Sequence, residues 1–278
     1  MKVNATSRTT IRTLQFCGQD IRVGIRPGDG SGTPLLLCSG IGISFEVFDL
    51  LVDSLDPDLE IIRVDVPGVG GSPDRLLPYS FPELAGLLAA ILDQLGHAKV
   101  DVLGFSWGGA LAQQFAVQCR DRCRRLILIS TSTGMLSIPG SPEALSRMLT
   151  PQNMTVNDAA SLLYDEVGLH GDEVRRLFRK TQIAASGLGY LYQLVAMSCW
   201  TSLPFLQLIR QPTLVIGGDA DPIVPVANAR LLAKLIPHAV LHTFAGGHIE
   251  PLASPDEFSR LISLFLTSKV TASAGAAR

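Results

Sequence analysis

The sequence has little charge and no long run of either sign. Charged residues make up 17% of the chain, and the formal net charge is -2. Nucleic acids and acidic membrane surfaces are bound through clustered basic side chains, so neither kind of partner is expected. Apolar runs are also short, and none approaches the roughly 18 residues that a membrane-spanning helix needs. We therefore expect no transmembrane segment.

The sequence also lacks the spacings that bind metals or build disulfide frameworks. Five cysteines are present, an odd number at irregular positions. Cys119 and Cys123 lie among arginines with no histidine nearby, so we expect no metal. The first ten residues are polar and contain no apolar segment of a secretory signal. Free thiols and a cytoplasmic location are expected, and no motif indicates a cofactor.

Short apolar runs rich in Val, Ile and Leu alternate with segments of helical length. Such runs are typical of strands buried on both faces of a parallel sheet. The predicted strands are residues 13–16, 21–25, 35–38, 61–66, 100–103, 126–130, 213–216 and 240–243. The predicted helices are residues 45–55, 81–95, 107–118, 226–236 and 255–266. This alternation predicts an α/β fold, in which helices flank a mostly parallel central sheet with an antiparallel opening.

One stretch, residues 134–205, contains no convincing strand. Ser141-Pro142 is typical of a helix start, Thr155-x-x-Asp158 of a capping box, and residues 188–200 of an apolar helix. The stretch is too long for a plain loop, so we predict a helical cap over the carboxyl edge of the sheet. The predicted division is a core of residues 1–133 and 206–268, a cap of residues 134–205 and a disordered tail of residues 269–278.

The segment Gly104-Phe105-Ser106-Trp107-Gly108 lies between a predicted strand and a predicted helix. G-x-S-x-G is short and can arise by chance, but the strand, turn and helix around it are the context that this motif requires. Glycines at its two ends let the strand and helix pass close to a strained turn. The pattern predicts Ser106 as a nucleophile exposed above the end of the strand.

A serine nucleophile needs a base within hydrogen-bond reach, and the base needs an orienting carboxylate. His97 and His238 precede strands, His242 lies within a strand, and His170 lies in the insertion. His248 follows the last strand, at the carboxyl edge and beside two glycines, and is the predicted base.

The acid is expected in the loop after residues 213–216, in the chain order serine, acid, histidine. This loop contains Asp219 and Asp221. Asp219 is nearer the strand and can bind amides of the turn, whereas Asp221 precedes a proline that favours extended backbone. Both are candidates, and Asp221 is preferred. The preceding carboxyl-edge loop, residues 131–134, has no acidic residue.

The tetrahedral oxyanion that forms when a serine attacks a carbonyl needs two fixed hydrogen-bond donors. We assign one to the backbone N–H of Trp107 and the other to that of Ile41, in the loop Ser39-Gly40-Ile41-Gly42. A plain glycine turn is the alternative interpretation of this loop. A second glycine cluster, residues 67–71, lacks the spacing of a phosphate loop and is interpreted as a structural turn.

These residues together resemble the α/β-hydrolase superfamily over essentially the whole chain. Residues 39–42, 65–72, 104–116 and 211–215 resemble the intracellular poly(3-hydroxyalkanoate) depolymerases, especially those acting on medium-chain-length storage polyesters. The resemblance implies ester hydrolysis at granule surfaces in the bacterial cytoplasm by a Ser-His-Asp triad without a cofactor. It adds to the preference for Asp221. Glu250-Pro251, just after His248, departs from the apolar residues expected there.

The insertion offers modest independent support for a hydrophobic polyester or ester substrate. Gly40, Met135, Leu136 and Tyr190 are the predicted pocket residues, although apolar residues at helical spacing are more often core. Two alternative functions stay open. One is a carboxylesterase or lipase-like hydrolase of small apolar esters with the same triad. The other is a non-enzymatic receptor with the hydrolase fold, which keeps the triad for ligand binding.

Overall fold

The centre of the fold is one mostly parallel β-sheet, seen in a computed structural model that describes residues 9–148 and 185–268. The strands follow the order β1-β2-β4-β3-β5-β6-β7-β8 across the sheet. Their bounds are β1 Thr10–Phe16, β2 Gln19–Arg26, β3 Leu35–Cys38, β4 Ile61–Val64, β5 Val100–Phe105, β6 Cys123–Ile129, β7 Thr213–Gly218 and β8 Ala239–Phe244. Strand β2 pairs antiparallel with β1 and β4, and the other pairs are parallel. The predicted fold class is confirmed.

Helices cover both faces of this sheet. Their bounds are α1 Asp49–Ser54, α2 Phe81–Gln94, α3 Trp107–Gln118, α4 Pro142–Met148, α5 Gly187–Ser198, α6 Val226–Leu235, α7 Glu250–Ala253 and α8 Pro255–Thr267. Successive strand residues point to opposite faces, so Leu36 packs in the cluster with α2, α3 and α6. Its neighbours Leu35 and Leu37 pack in the cluster with α1, α7 and α8. Because the central strands are apolar on both faces, they contribute to two hydrophobic cores, one on each side of the sheet.

The predicted helix at residues 45–55 is interrupted. A 3₁₀ turn, Phe45–Phe48, comes first and α1 follows it. Helix α7 was not predicted; it consists of four residues directly after His248 and Ile249. Helix α2 starts as its sequence indicates, because Ser80 and Glu83 form a capping box.

Two helices of the insertion lie among the described residues. Helix α4 starts after Ser141, whose hydroxyl accepts the amide of Ala144 at 3.2 Å. Helix α5 is capped by Ser186, whose hydroxyl accepts the amide of Gly189 at 2.8 Å. The predicted capping box at Thr155 and the predicted tail, residues 269–278, lie outside the described residues. The division into core and cap stays a prediction.

Within residues 9–148 and 185–268, no helix is both long enough and apolar enough to cross a membrane.

Candidate active site

Ser106 occupies a sharp turn between β5 and α3. Its φ is 54° and its ψ is -119°, a conformation that costs a non-glycine residue of order 1–3 kcal/mol. Three hydrogen bonds hold this turn. The Ser106 amide donates to Ile129 O at 2.9 Å, and Ser106 O accepts from Thr131 Oγ1 at 2.7 Å and from the Gly109 amide at 2.9 Å. Strand β6, the loop after it and helix α3 therefore fix the strained backbone.

The two glycines of the motif are required by close packing of the backbone. A Cβ atom at Gly104 would lie 2.3 Å from Gly108 O, and one at Gly108 would lie 2.1 Å from Cys38 O. No real Cβ approaches backbone oxygen so closely, and neither neighbour is a flexible side chain. The steric reason inferred from the sequence is confirmed.

His248 lies between Ser106 and Asp221. Its Nε2 is 3.0 Å from Ser106 Oγ, and its Nδ1 is 2.7 Å from Asp221 Oδ2. His248 is 3% exposed and Asp221 is 6% exposed. The other carboxylate oxygen, Oδ1, accepts the amides of Ile223 at 2.9 Å and Val224 at 2.8 Å. The carboxylate is thus held in place by its own loop while it orients the imidazole.

Asp219, the alternative acid, has a different position. It is exposed, and its Oδ1 accepts the amide of Gly246 at 3.2 Å. Since Gly246 belongs to the loop that carries His248, Asp219 joins the two loops without touching the imidazole. The structure brings Asp221 to the histidine and leaves Asp219 at the turn.

Ser106 is 8% exposed and lines a cavity of about 470 Å³. Both residues proposed to supply oxyanion donors, Ile41 and Trp107, line this cavity with Ser106. Trp107 is the first residue of α3. The first amides of a helix have no partner within the helix, and they lie at the positive end of its dipole.

Most of the cavity wall is apolar. It includes Met135, Ile138 and Leu145 from the first part of the insertion, Met197 from α5, and Ile223 beside Asp221. Its volume and lining match those of sites for small molecules with apolar groups.

The four predicted pocket residues lie in different places. Met135 lines the cavity. A Cβ atom at Gly40 would lie 3.6 Å from Ser106 Cβ, so this glycine lies beside the nucleophile. Leu136 is 54% exposed, and Tyr190 is buried with its hydroxyl donating to Met148 O at 2.7 Å. Gly40, Leu136 and Tyr190 are not among the described residues that line the cavity.

Thr131 and Asn228 are among the cavity residues that were not predicted from the sequence. Thr131 holds the Ser106 carbonyl, as described above. Asn228, fully buried in α6, exchanges two hydrogen bonds with Ile138: it accepts the Ile138 amide at 2.9 Å and donates to the Ile138 carbonyl at 2.8 Å. An asparagine on the buried face of a helix is a signal that could have identified this contact.

Glu250 lies away from the cavity of Ser106. It is half-buried and accepts a hydrogen bond from Ser254 Oγ at 2.8 Å. Together with Asp256 and Glu257, Glu250 lines a separate, acidic groove. The departure from the expected apolar sequence is therefore accommodated outside the cavity.

In the described part of the chain, no group of three or more His, Cys, Asp or Glu side chains could hold a metal ion. A serine, a histidine and a carboxylate, joined in this order at the carboxyl edge of an α/β sheet, form the arrangement that serine hydrolases use.

Comparisons with known proteins agree with that class. Residues 33–252 match the protein family whose description is "alpha/beta hydrolase fold". The chain is 42% identical over 260 residues to the poly(3-hydroxyalkanoate) depolymerase of Ectopseudomonas oleovorans, and the match covers 92% of each protein. It is 30% identical over 247 residues to the pimeloyl-[acyl-carrier protein] methyl ester esterase of Aromatoleum aromaticum, covering 82% of this chain and 96% of that protein.

A solved structure, the esterase EaEST from Exiguobacterium antarcticum, shares the fold. It superposes with a TM-score of 0.80 at 18% identity, covering 93% of this chain and 100% of the esterase. The chain belongs to the alpha/beta hydrolase family.

Proposed function

We propose that the protein is a serine ester hydrolase that cleaves poly(3-hydroxyalkanoate) through an acyl-enzyme intermediate on Ser106. The observation that carries the chemistry is the continuous chain of contacts from Ser106 Oγ through His248 to Asp221 Oδ2. The polyester is supported by the 42% identity to a poly(3-hydroxyalkanoate) depolymerase over nearly the full length of both proteins.

Each residue then has a defined task. His248 Nε2 takes the proton of Ser106 as Oγ attacks the ester carbonyl carbon, and Asp221 keeps the other proton on Nδ1. The amides of Trp107 and Ile41 bind the oxyanion of the tetrahedral intermediate. His248 then gives its proton to the leaving alcohol. Water activated by His248 releases the hydroxy acid and restores Ser106.

The apolar cavity supports this substrate class. Only the ester group of a polyester unit needs polar contacts, and its side chain is hydrocarbon. Met135, Leu145 and Met197 offer such a side chain an apolar wall next to Ser106. Flexible methionines adapt to chains of different shape.

The test compares emulsified short- and medium-chain poly(3-hydroxyalkanoate) with soluble nitrophenyl esters, following acid release by titration. We expect wild type to release acid from the polymer and to be labelled by a fluorophosphonate. Ser106→Ala should abolish labelling and lower kcat by roughly 10⁴-fold or more, as loss of a nucleophilic serine does. Ser263→Ala, on the remote helix α8, is the matched serine control and should keep wild-type activity.

Two other results would replace the proposal. Activity on soluble esters alone would favour a small-ester hydrolase, which the 30% identity to a methyl ester esterase supports as the second candidate. A folded wild type that neither hydrolyses esters nor takes the label would indicate a receptor.

The proposal also places the enzyme in the cytoplasm, at the surface of polymer granules. All five cysteines are free thiols, which suits a reducing compartment. We expect the protein to sediment with granules from polymer-forming cells. Recovery in the soluble fraction of such cells would contradict the granule location.

A further inference from the structure

The loop that carries Ile41 is held from outside the sheet core. Its last residue, Gly42, has a φ of 72°. The Gly42 amide donates to Gln193 Oε1 at 2.7 Å, and the Gly42 carbonyl accepts the amide of Ala185 at 3.3 Å. A Cβ atom at Gly42 would lie 2.8 Å from the ring of Tyr190. All three contacts come from one stretch, residues 185–193, at the end of the insertion.

Gln193 also contacts Trp107. The indole Nε1 of Trp107 donates to the backbone carbonyl of Gln193 at 3.0 Å. Gln193 is 1% exposed, so both of its contacts are shielded from water. One buried residue of α5 therefore contacts Gly42, the residue after the proposed donor Ile41, and also the side chain of the proposed donor Trp107.

The Gly42 amide depends on the Gln193 side chain for a hydrogen-bond partner, because this contact is buried. A buried backbone amide needs an acceptor, and the Gln193 carboxamide supplies the one that Gly42 uses. Without it, the Gly42 amide would lose its partner and the peptide next to Ile41 would be free to rotate. Oxyanion donors act only when they are fixed in advance at the position where charge develops.

We infer that Gln193 is a positioning residue for ester cleavage, whose side chain acts through Gly42 to hold the oxyanion donor at Ile41 in place. Docking of α5 on the core thereby completes the site. This inference rests on the proposed function of Ser106 and goes beyond it. The described hydrogen bonds of the His248 ring are with Ser106 and Asp221, so within residues 9–148 and 185–268 the side chain of Gln193 lies on the oxyanion side of the site.

A structural anchor of the same segment provides the control. The Ser186 amide donates to Gly68 O at 3.0 Å, and its hydroxyl bonds Asp74. Ser186→Ala thus weakens the attachment of residues 185–193 to the core without removing a contact to Gly42 or Trp107. If Gln193 only anchored the cap, the two variants would behave alike.

The experiment measures kcat and KM of the full-length protein on a soluble nitrophenyl ester, and inhibition by a trifluoromethyl ketone. Such a ketone adds to the serine and places an oxyanion among the donors. We expect Gln193→Leu, which keeps the size but removes the acceptor, to lower kcat roughly 10- to 100-fold with KM changed less than about threefold. Affinity for the ketone should fall in parallel.

Further readouts separate positioning from folding. The pH profile of kcat/KM should keep its shape, because the histidine and its acid are untouched. Ser186→Ala should lower Tm and leave kcat within about threefold of wild type. If Gln193→Leu yields no folded protein, Gln193→Asn, whose acceptor is one methylene too short, carries the same prediction.

The inference is overturned if Gln193→Leu keeps wild-type kcat, if only its KM changes, or if Ser186→Ala loses as much kcat. A wild type that hydrolyses no ester and takes no fluorophosphonate would instead overturn the proposed function. An active wild type with an equally active leucine variant would overturn the positioning role alone.

Discussion

The two sides of the candidate site are held by different parts of the chain. The proton-transfer side, Ser106, His248 and Asp221, lies in loops after core strands, and amides of the core hold Ser106 and Asp221. The oxyanion side also starts on a core strand, but its Gly42 is bound by Gln193, 151 residues away. The turn of the predicted nucleophile is thus held by β6, the loop after it and α3, whereas the loop of the proposed donor at Ile41 is held by α5. Substitutions on the two sides should have different effects.

The largest effect is expected on the proton-transfer side. Asp221→Asn keeps the shape of the side chain but presents an amide to His248, which favours the wrong tautomer. We expect kcat on a nitrophenyl ester to fall roughly 10⁴-fold. Asp219→Asn is the matched control, because the described contact of its side chain is with the Gly246 amide, away from the His248 ring. Its kcat should stay within about tenfold of wild type, since asparagine keeps an acceptor oxygen for this exposed contact. Equal losses in the two variants would contradict the assignment of Asp221.

The proton-transfer side could be predicted largely because its signals are local. The spacing of Gly104, Ser106 and Gly108 is read within five consecutive residues, although the packing that requires Gly108 comes from the distant Cys38. His248 follows from strand order, because carboxyl ends of parallel strands meet at one edge. The choice between Asp219 and Asp221 was less secure, since both lie in the right loop. In the structure the amides of Ile223 and Val224 hold Asp221 Oδ1, and Asp221 Oδ2 faces His248, so Asp221 stays the predicted acid.

The contacts of the insertion could not be predicted in the same way. Gln193 meets Gly42 and Trp107 across 151 and 86 residues, and no periodicity links these positions. The available signal was a glutamine within an apolar helix, which is costly to bury without partners. Tyr190 was placed in the pocket for its apolar ring, yet it packs on Gly42, because helix rotation depends on docking rather than on composition.

The second largest effect is expected in the turn that carries Ser106. Gly104→Ala would place a Cβ atom 2.3 Å from Gly108 O and 2.6 Å from Gly109 Cα. Backbone on both sides would have to move, at a cost of about 3 kcal/mol or more of unfolding free energy. The measurement is urea unfolding followed by circular dichroism.

Gly86→Ala is the control for that variant. Gly86 lies in α2 with nothing within 4 Å of an added Cβ. Alanine should stabilise the helix there by about 0.5–1 kcal/mol. A Gly104→Ala protein as stable as wild type would contradict this prediction. It would show that the turn can accommodate a Cβ atom next to Gly108 and Gly109.

The smallest effect is expected on the oxyanion side. There, Gly42→Ala tests whether the Tyr190 ring of α5 constrains the loop of Ile41 and Gly42. Gly42 and Gly30 both have positive φ, 72° and 80°, but only Gly42 has a neighbour, the Tyr190 ring. Gly30→Ala therefore isolates the backbone penalty, about 1–2 kcal/mol, and should leave kcat unchanged. Gly42→Ala should cost about 1 kcal/mol more, because the buried ring must shift. Its kcat should fall roughly tenfold, as the donor at Ile41 moves with the loop. Urea unfolding and ester kinetics on both variants measure these differences. If Gly42→Ala and Gly30→Ala have the same unfolding free energy and the same kcat, the Tyr190 ring does not constrain the loop of Ile41 and Gly42.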